Sequence, residues 1–78
     1  MRQPQEFFVV TFNTTTGAMA MEEACRSKNV PGRLIPVPRS ITAGCGMCWA
    51  APPTAKAQVE QVVIGEKLDI NGFYTAFI

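Results

Sequence analysis

Between Glu6 and Phe12 the chain reads Glu-Phe-Phe-Val-Val-Thr-Phe, a short run of aromatic and β-branched residues that predicts a strand. Its two alternating sets, Phe7/Val9/Thr11 and Phe8/Val10/Phe12, are both largely apolar. A strand that is apolar on both faces belongs in the middle of its sheet. Asn13 and the threonines Thr14, Thr15 and Thr16 then supply turn and N-cap chemistry. From Gly17 to Asn29 the rhythm changes. Ala18, Met21, Ala24 and Cys25 recur at helical spacing, and Glu22, Glu23, Arg26 and Lys28 occupy the remaining positions. Met19 and Met21 both read as packing residues of this helix. Asn29 fits a left-handed helix end, and Pro31 prevents continuation.

Gly32 to Val37 predicts a short second strand, and Pro36, which lacks a ladder donor, marks it as an edge strand or as a strand end. Pro38 to Gly46 follow as a connection of about nine residues, longer than most and so a place to look for function. Met47 to Ala51 reads as a third strand carrying Trp49. Pro52-Pro53-Thr54 opens a second helix with Pro53 near its first position. Ala55, Val59, Val62 and Val63 form its apolar stripe, Lys56, Glu60 and Gln61 its polar face, and Gly65 weakens its end. Leu68 to Ile78 predicts a closing strand, with Gly72 at a bulge and Tyr74 as a sheet residue.

The order strand-helix-strand-strand-helix-strand, joined by right-handed crossovers, gives an α+β ferredoxin-like two-layer sandwich, with a four-stranded antiparallel sheet and both helices on one face. A single such domain over residues 1–78 is expected. The other sheet face would stay bare while carrying apolar side chains of the first and last strands. A homodimer through that face is therefore expected.

Composition narrows the chemistry. Of 78 residues, 47% are hydrophobic and 17% charged, which is globular rather than disordered. The net charge is +1, so no basic face for nucleic acid is implied. No run is long and apolar enough to act as a membrane span or signal-peptide core. Histidine is absent, which removes Ser-His-Asp and Cys-His catalysis and histidine metal ligands. The three cysteines are an odd number, which argues against a secreted disulfide scaffold and for reduced thiols in a cytoplasm.

The stretch Gly44-Cys45-Gly46-Met47-Cys48 carries the candidate chemistry. Glycines on either side of Cys45 permit backbone conformations closed to other residues, and successive N–H groups in such a turn can form an anion site. Arg39 lies in the same loop and Arg33 at the start of the preceding strand. Positive charge and N–H donors near a thiol favour its thiolate. Cys45 is thus either a reactive thiol or an ordinary small loop residue. Cys45 and Cys48 also form a Cys-x-x-Cys, open to three readings: a dithiol redox pair, two thiolates for a soft metal, or a buried Cys48 that only packs. A bridge between them requires residues 45–48 to turn, because three extended steps separate Cα atoms by about 10 Å, beyond disulfide reach. Cys25 reads as core packing. Trp49 is either core or an aromatic wall beside Cys45.

The run Val30-Pro31-Gly32-Arg33-Leu34-Ile35-Pro36-Val37-Pro38-Arg39, followed by Gly44-Cys45-Gly46, resembles the putative selenium/sulfur carrier protein-like family, a group of small bacterial domains. Thr11-Phe12, Thr15-Thr16 and Ala18 resemble its first strand and helix start, and Asn71-Gly72-Phe73-Tyr74 its closing strand. The resemblance covers nearly the whole chain. It implies a thiol carrier with Cys45 at the family's Cys-Gly cysteine and Arg39 at the arginine after its second proline. Cys48 stands where the family pattern leads one to expect a small or apolar residue, so a dithiol function would be a departure. The Cys-Pro-x-Pro pattern of another group of sulfur carriers is absent.

The leading expectation is a non-enzymatic carrier. Cys45 would hold sulfur or selenium, Cys48 would act as a resolving thiol, and Arg39, Arg33, Gly44 and Gly46 would shape the binding loop. Its partners would be sulfur or selenium donor and acceptor proteins, without nucleic acid, membrane or cofactor. The alternatives are a soft-metal protein using Cys45 and Cys48, and a ferredoxin-like interaction module whose cysteines are incidental. An enzyme fits least, for want of histidine, a cofactor fingerprint and volume for a substrate pocket.

Overall fold

The computed structural model describes residues 5–39, 41 and 45–78. The chain forms β1 (Glu6–Thr11), α1 (Thr15–Ser27), β2 (Arg33–Pro36), β3 (Met47–Ala51), a 3-10 turn (Pro53–Ala55), α2 (Lys56–Gly65) and β4 (Gly72–Phe77). The strands make one sheet in the order β2-β3-β1-β4, every neighbouring pair antiparallel. This is the expected α+β ferredoxin-like arrangement. β1 is internal, as its doubly apolar pattern requires, and Val9 and Val10 on its opposite faces are both fully buried. β2, with its proline, is an edge.

Local chemistry sets the helix ends. Thr14 caps α1, its Oγ1 accepting from Gly17 N–H at 3.0 Å. Gly17 therefore lies inside the first turn, and the helix starts two residues earlier than its apolar pattern suggests. A Cβ on Gly17 would come within 2.8 Å of the Asp69 carbonyl oxygen. At the other end Asn29 takes φ 58°, Val30 N–H donates to Cys25 O at 2.9 Å and Asn29 N–H to Arg26 O at 3.4 Å. These two bonds are the Schellman closure, which satisfies carbonyls that the helix leaves open. α2 ends the same way. Lys67 has φ 52°, Leu68 N–H donates to Val63 O at 3.0 Å and Lys67 N–H to Ile64 O at 3.2 Å.

This second closure corrects the predicted last strand. Residues 68–71 are not strand, because Leu68 N–H is spent on the helix end. Leu68 and Ile70 instead pack half-buried against the core as a connection. β4 begins at Gly72 and holds unbroken register with β1 from Thr11↔Gly72 to Glu6↔Phe77, so the expected bulge is absent. Met19 is a second correction. Met21 is fully buried, but Met19 is 62% exposed, since positions two apart lie on nearly opposite sides of a helix.

The main core lies between sheet and helices. Phe8, Val10, Phe12, Trp49 and Ala51 face Ala18, Met21 and Cys25 of α1 and Ala55, Val59, Val62 and Val63 of the second helical segment. The opposite sheet face is not bare, contrary to expectation. Ile41, from the β2–β3 connection, is buried there with Val9, Cys48 and Ala76, flanked by Phe7, Ile35 and Val37. That long connection therefore supplies part of a second, smaller core. Among the described residues no helix is long and apolar enough to cross a membrane.

Candidate thiol site

The β2–β3 connection returns to the sheet through a bond from Val37 N–H to Gly46 O at 3.0 Å. Nearer its start, Ile41 N–H donates to Pro38 O at 3.0 Å, and the Ile41 side chain anchors that side on the open sheet face. Gly46 takes φ +83°, a conformation that side-chain-bearing residues rarely adopt, and a Cβ there would meet nothing within 4 Å. Glycine is needed at this position for its backbone angle and not for space. Gly44, its expected counterpart, lies outside the described residues.

Among the described residues, two bonds hold Cys45. Its N–H donates to Phe12 O at 3.3 Å, and its Sγ donates to Met47 O at 3.4 Å. The first bond ties it to the end of β1, two residues before the Thr14 cap of α1. Thr14 accepts from Gly17 N–H through its side chain and from Ala18 N–H through its carbonyl. The N–H groups of Thr15 and Thr16, earlier in the same turn, are the kind of helix-start donors that solvent or a ligand satisfies. Asn71 strengthens this end of the sheet: its amide donates to Asn13 Oδ1 at 3.1 Å, and its own Oδ1 accepts from Thr11 Oγ1 at 3.1 Å. The Cys45 side chain is half-buried against the helix-side core.

Cys48 is placed differently. It pairs with Thr11 and Ile35 across the sheet and is fully buried in the core of the opposite face. Burial, and secondarily the neighbouring Cys45, push its thiol up from 9.0 to about 11. Cys25 sits fully buried on α1, and burial alone pushes it up to about 11. Cys45, unlike Cys48, packs at the helix-side core, from the turn that precedes β3, so these two thiols belong to different cores. Among the described residues, no three Cys, Asp or Glu side chains come together as a metal-binding group.

The two arginines also part company. Arg39 is exposed in the turn after β2, within the loop that carries Cys45. Arg33 is exposed at the far end of β2, opposite Ala50, whereas the Cys45 end of β3 faces Pro36. Three strand steps, about 10 Å, separate those ends. Arg33 is therefore not beside the thiol as its place in the sequence suggested. It borders a depression of about 240 Å³ with Glu22, Arg26, Val30, Gly32 and Trp49. Trp49 itself is 4% exposed on the helix side of β3, which makes it core. The sequence alone does not show the Phe12 carbonyl as a partner of Cys45, because the two meet only once β3 pairs with β1.

A sequence profile matches residues 7–75, from the start of β1 to the middle of β4, and its description is "Putative Se/S carrier protein-like". The chain belongs to the putative Se/S carrier protein-like family. The matched segment includes Arg33, Arg39, Cys45, Gly46 and Cys48. No curated protein and no solved structure matches the chain. Membership in this Se/S carrier-like family thus rests on sequence, and the geometry of Cys45 is what the structure adds.

Proposed function

We propose that this protein is a thiol-based carrier of sulfur or selenium in which Cys45 holds the cargo. One observation carries the reading: of the three cysteines, Cys45 alone is partly exposed, while Cys25 and Cys48 have no exposed surface. The family description supports the same chemistry.

Loading is a persulfide exchange. The Cys45 sulfur attacks the outer sulfur of a donor persulfide, forming Cys45–S–SH and releasing the donor as its thiol, with the proton of Cys45 passing to the leaving sulfur. No external oxidant enters. For selenium, a selenium bound between two small thiols is attacked in the same way, and one of those thiols leaves. The proposal assigns negative charge on the terminal atom to the Arg39 guanidinium of the same loop and to N–H donors at the start of α1, which follows the Phe12 carbonyl that holds Cys45. The proposal gives Cys48 a packing role, since its sealed thiol faces the other core.

The test is loading followed by mass spectrometry. Wild type and Cys45→Ser are treated with a persulfide donor, or with selenite and glutathione, and intact and peptide masses are read. The expected result is one added sulfur or selenium adduct, mapped to Cys45 and absent from Cys45→Ser. Equal loading of both proteins would sink the proposal.

A further inference from the structure

β4 ends the sheet, so among the described residues one side of its backbone has no strand beside it. Gln5 and Ile78 exchange two backbone bonds, of 3.0 and 2.9 Å, which fixes which β4 residues face inward. By antiparallel alternation Ala76 and Tyr74 also bond toward β1, and the N–H and C=O groups of Phe73, Thr75 and Phe77 point away from it. The opposite edge, β2, is guarded by Arg33 and Pro36. β4 carries no such guard. Residues 70–78 contain no charged side chain and no proline, and the register with β1 has no bulge. Phe73 is 41% exposed, Tyr74 38%, Phe77 69% and Ile78 47%.

We propose that β4 pairs antiparallel with the β4 of a second copy of this chain, about a two-fold axis through Thr75. This register sets Thr75 opposite Thr75 and Phe73 opposite Phe77 of the other copy, and it satisfies every outward donor and acceptor of those three residues. It also matches Gly72 to Ile78, using the strand along its whole length. Side chains of Phe73, Thr75 and Phe77 share the helix side of the sheet with Val10. Phe73 already stacks on Phe8, with ring centroids 5.4 Å apart, and the incoming Phe77 extends that stack.

Charge agrees with this choice of occupant. Glu6 lies beside Phe77 on the helix side, and Lys56 Nζ sits 5.6 Å over the Phe8 ring beside Phe73. Bringing Phe77 onto the second copy's Phe73 therefore brings an acidic group toward a basic one, twice by symmetry. The surface removed from water is on the order of 1,000 Å², the low end for a specific interface. The dimer is correspondingly one of micromolar affinity or weaker. The Cys45 loop joins β2 to β3 on the other half of the sheet, so pairing leaves both thiols open. The inference does not rest on the thiol chemistry.

Sedimentation velocity across a concentration series from micromolar to submillimolar, with amide hydrogen exchange read by NMR, tests it. Two variants accompany wild type. Thr75→Pro removes an outward N–H that the monomer does not use, and Phe77→Lys puts a charge on an exposed ring position. Wild type is expected to dimerise in this range, with the Phe73, Thr75 and Phe77 amides gaining protection as concentration rises. Each variant is expected to weaken dimerisation at least about tenfold while leaving far-ultraviolet circular dichroism unchanged. A wild type that stays monomeric with those three amides unprotected would overturn the proposal. So would a dimer that survives Phe77→Lys unchanged, since Phe77→Lys keeps the test decisive if Thr75→Pro fails to fold.

Discussion

At Gly32 the backbone takes φ +135°, and a Cβ there would run into Trp49 Nε1 and lie 2.8 Å from the Ala50 carbonyl oxygen. The indole edge occupies the place of the missing side chain. Among the described residues Trp49 Nε1 finds no hydrogen-bond partner, so packing alone holds the ring there. Replacing Gly32 by Ala adds both a strained angle and an overlap with a buried ring. The Gly32→Ala variant is expected to lose about 2–4 kcal/mol of stability, read by urea unfolding. A loss under about 0.5 kcal/mol, the scatter of ordinary surface changes, would mean that this approach is loose. The glycine was visible in the sequence only as part of a family block. Its reason was not, because the ring it accommodates arrives from a strand seventeen positions later in the chain. Cys48 shows the opposite case. Its burial is one of the sequence's open readings, because it falls inside the strand Met47–Ala51, whereas the place of Cys45 depends on the turn at Gly46.

Helix ends decide the element scale. Asn29 announced its left-handed turn because asparagine tolerates that region and Pro31 stands behind it. Lys67 takes the same conformation at the end of α2 without any such signature. Leu68 and Ile70, alternating beyond it, then imitate the start of a strand. The bond from Leu68 N–H to Val63 O settles the matter locally, and it is invisible to a hydrophobic pattern. Lysine in this position carries a cost that glycine does not. Lys67→Gly is therefore expected to stabilise the protein by about 0.5–1 kcal/mol, the left-handed penalty less the entropy glycine adds to the unfolded chain. Lys67→Val, β-branched, is expected to destabilise it. Thermal melts of the two variants against wild type check the order, and a Lys67→Gly melting below wild type would refute it.

For the molecule as a whole, a small domain gains by burying apolar surface on both sheet faces. The β2–β3 connection serves this directly: Ile41 closes the face that a helix pair leaves open, and the same connection carries Cys45. The loop that bears Cys45 and the second core are thus one piece of chain. Each of the two cores buries one thiol, Cys25 in the main core and Cys48 in the second, and that has a pH signature. Cys25 and Cys48 are raised from 9.0 to about 11 in the folded state. Between those values the unfolded chain loses protons that the folded protein keeps, so deprotonation favours unfolding. Their contribution is fully present below about 9 and is lost as pH climbs toward about 11. Urea midpoints are expected to fall over that interval, and less steeply in Cys48→Ala than in wild type. Equal slopes in the two proteins would show that Cys48 titrates freely and is not sealed.

The path of the cargo tests the role proposed for Cys45 most directly. Wild-type protein is loaded from a persulfide donor, freed of the donor and offered a small thiol, and the terminal sulfur is followed by mass spectrometry. The prediction is one sulfur on the Cys45 peptide, passed to the small thiol as its persulfide, with Cys45 returned as a free thiol and Cys48 unmodified throughout. Release of the sulfur as hydrogen sulfide with formation of a Cys45–Cys48 disulfide would contradict the account, because it requires the buried thiol to cross from one face of the sheet to the other.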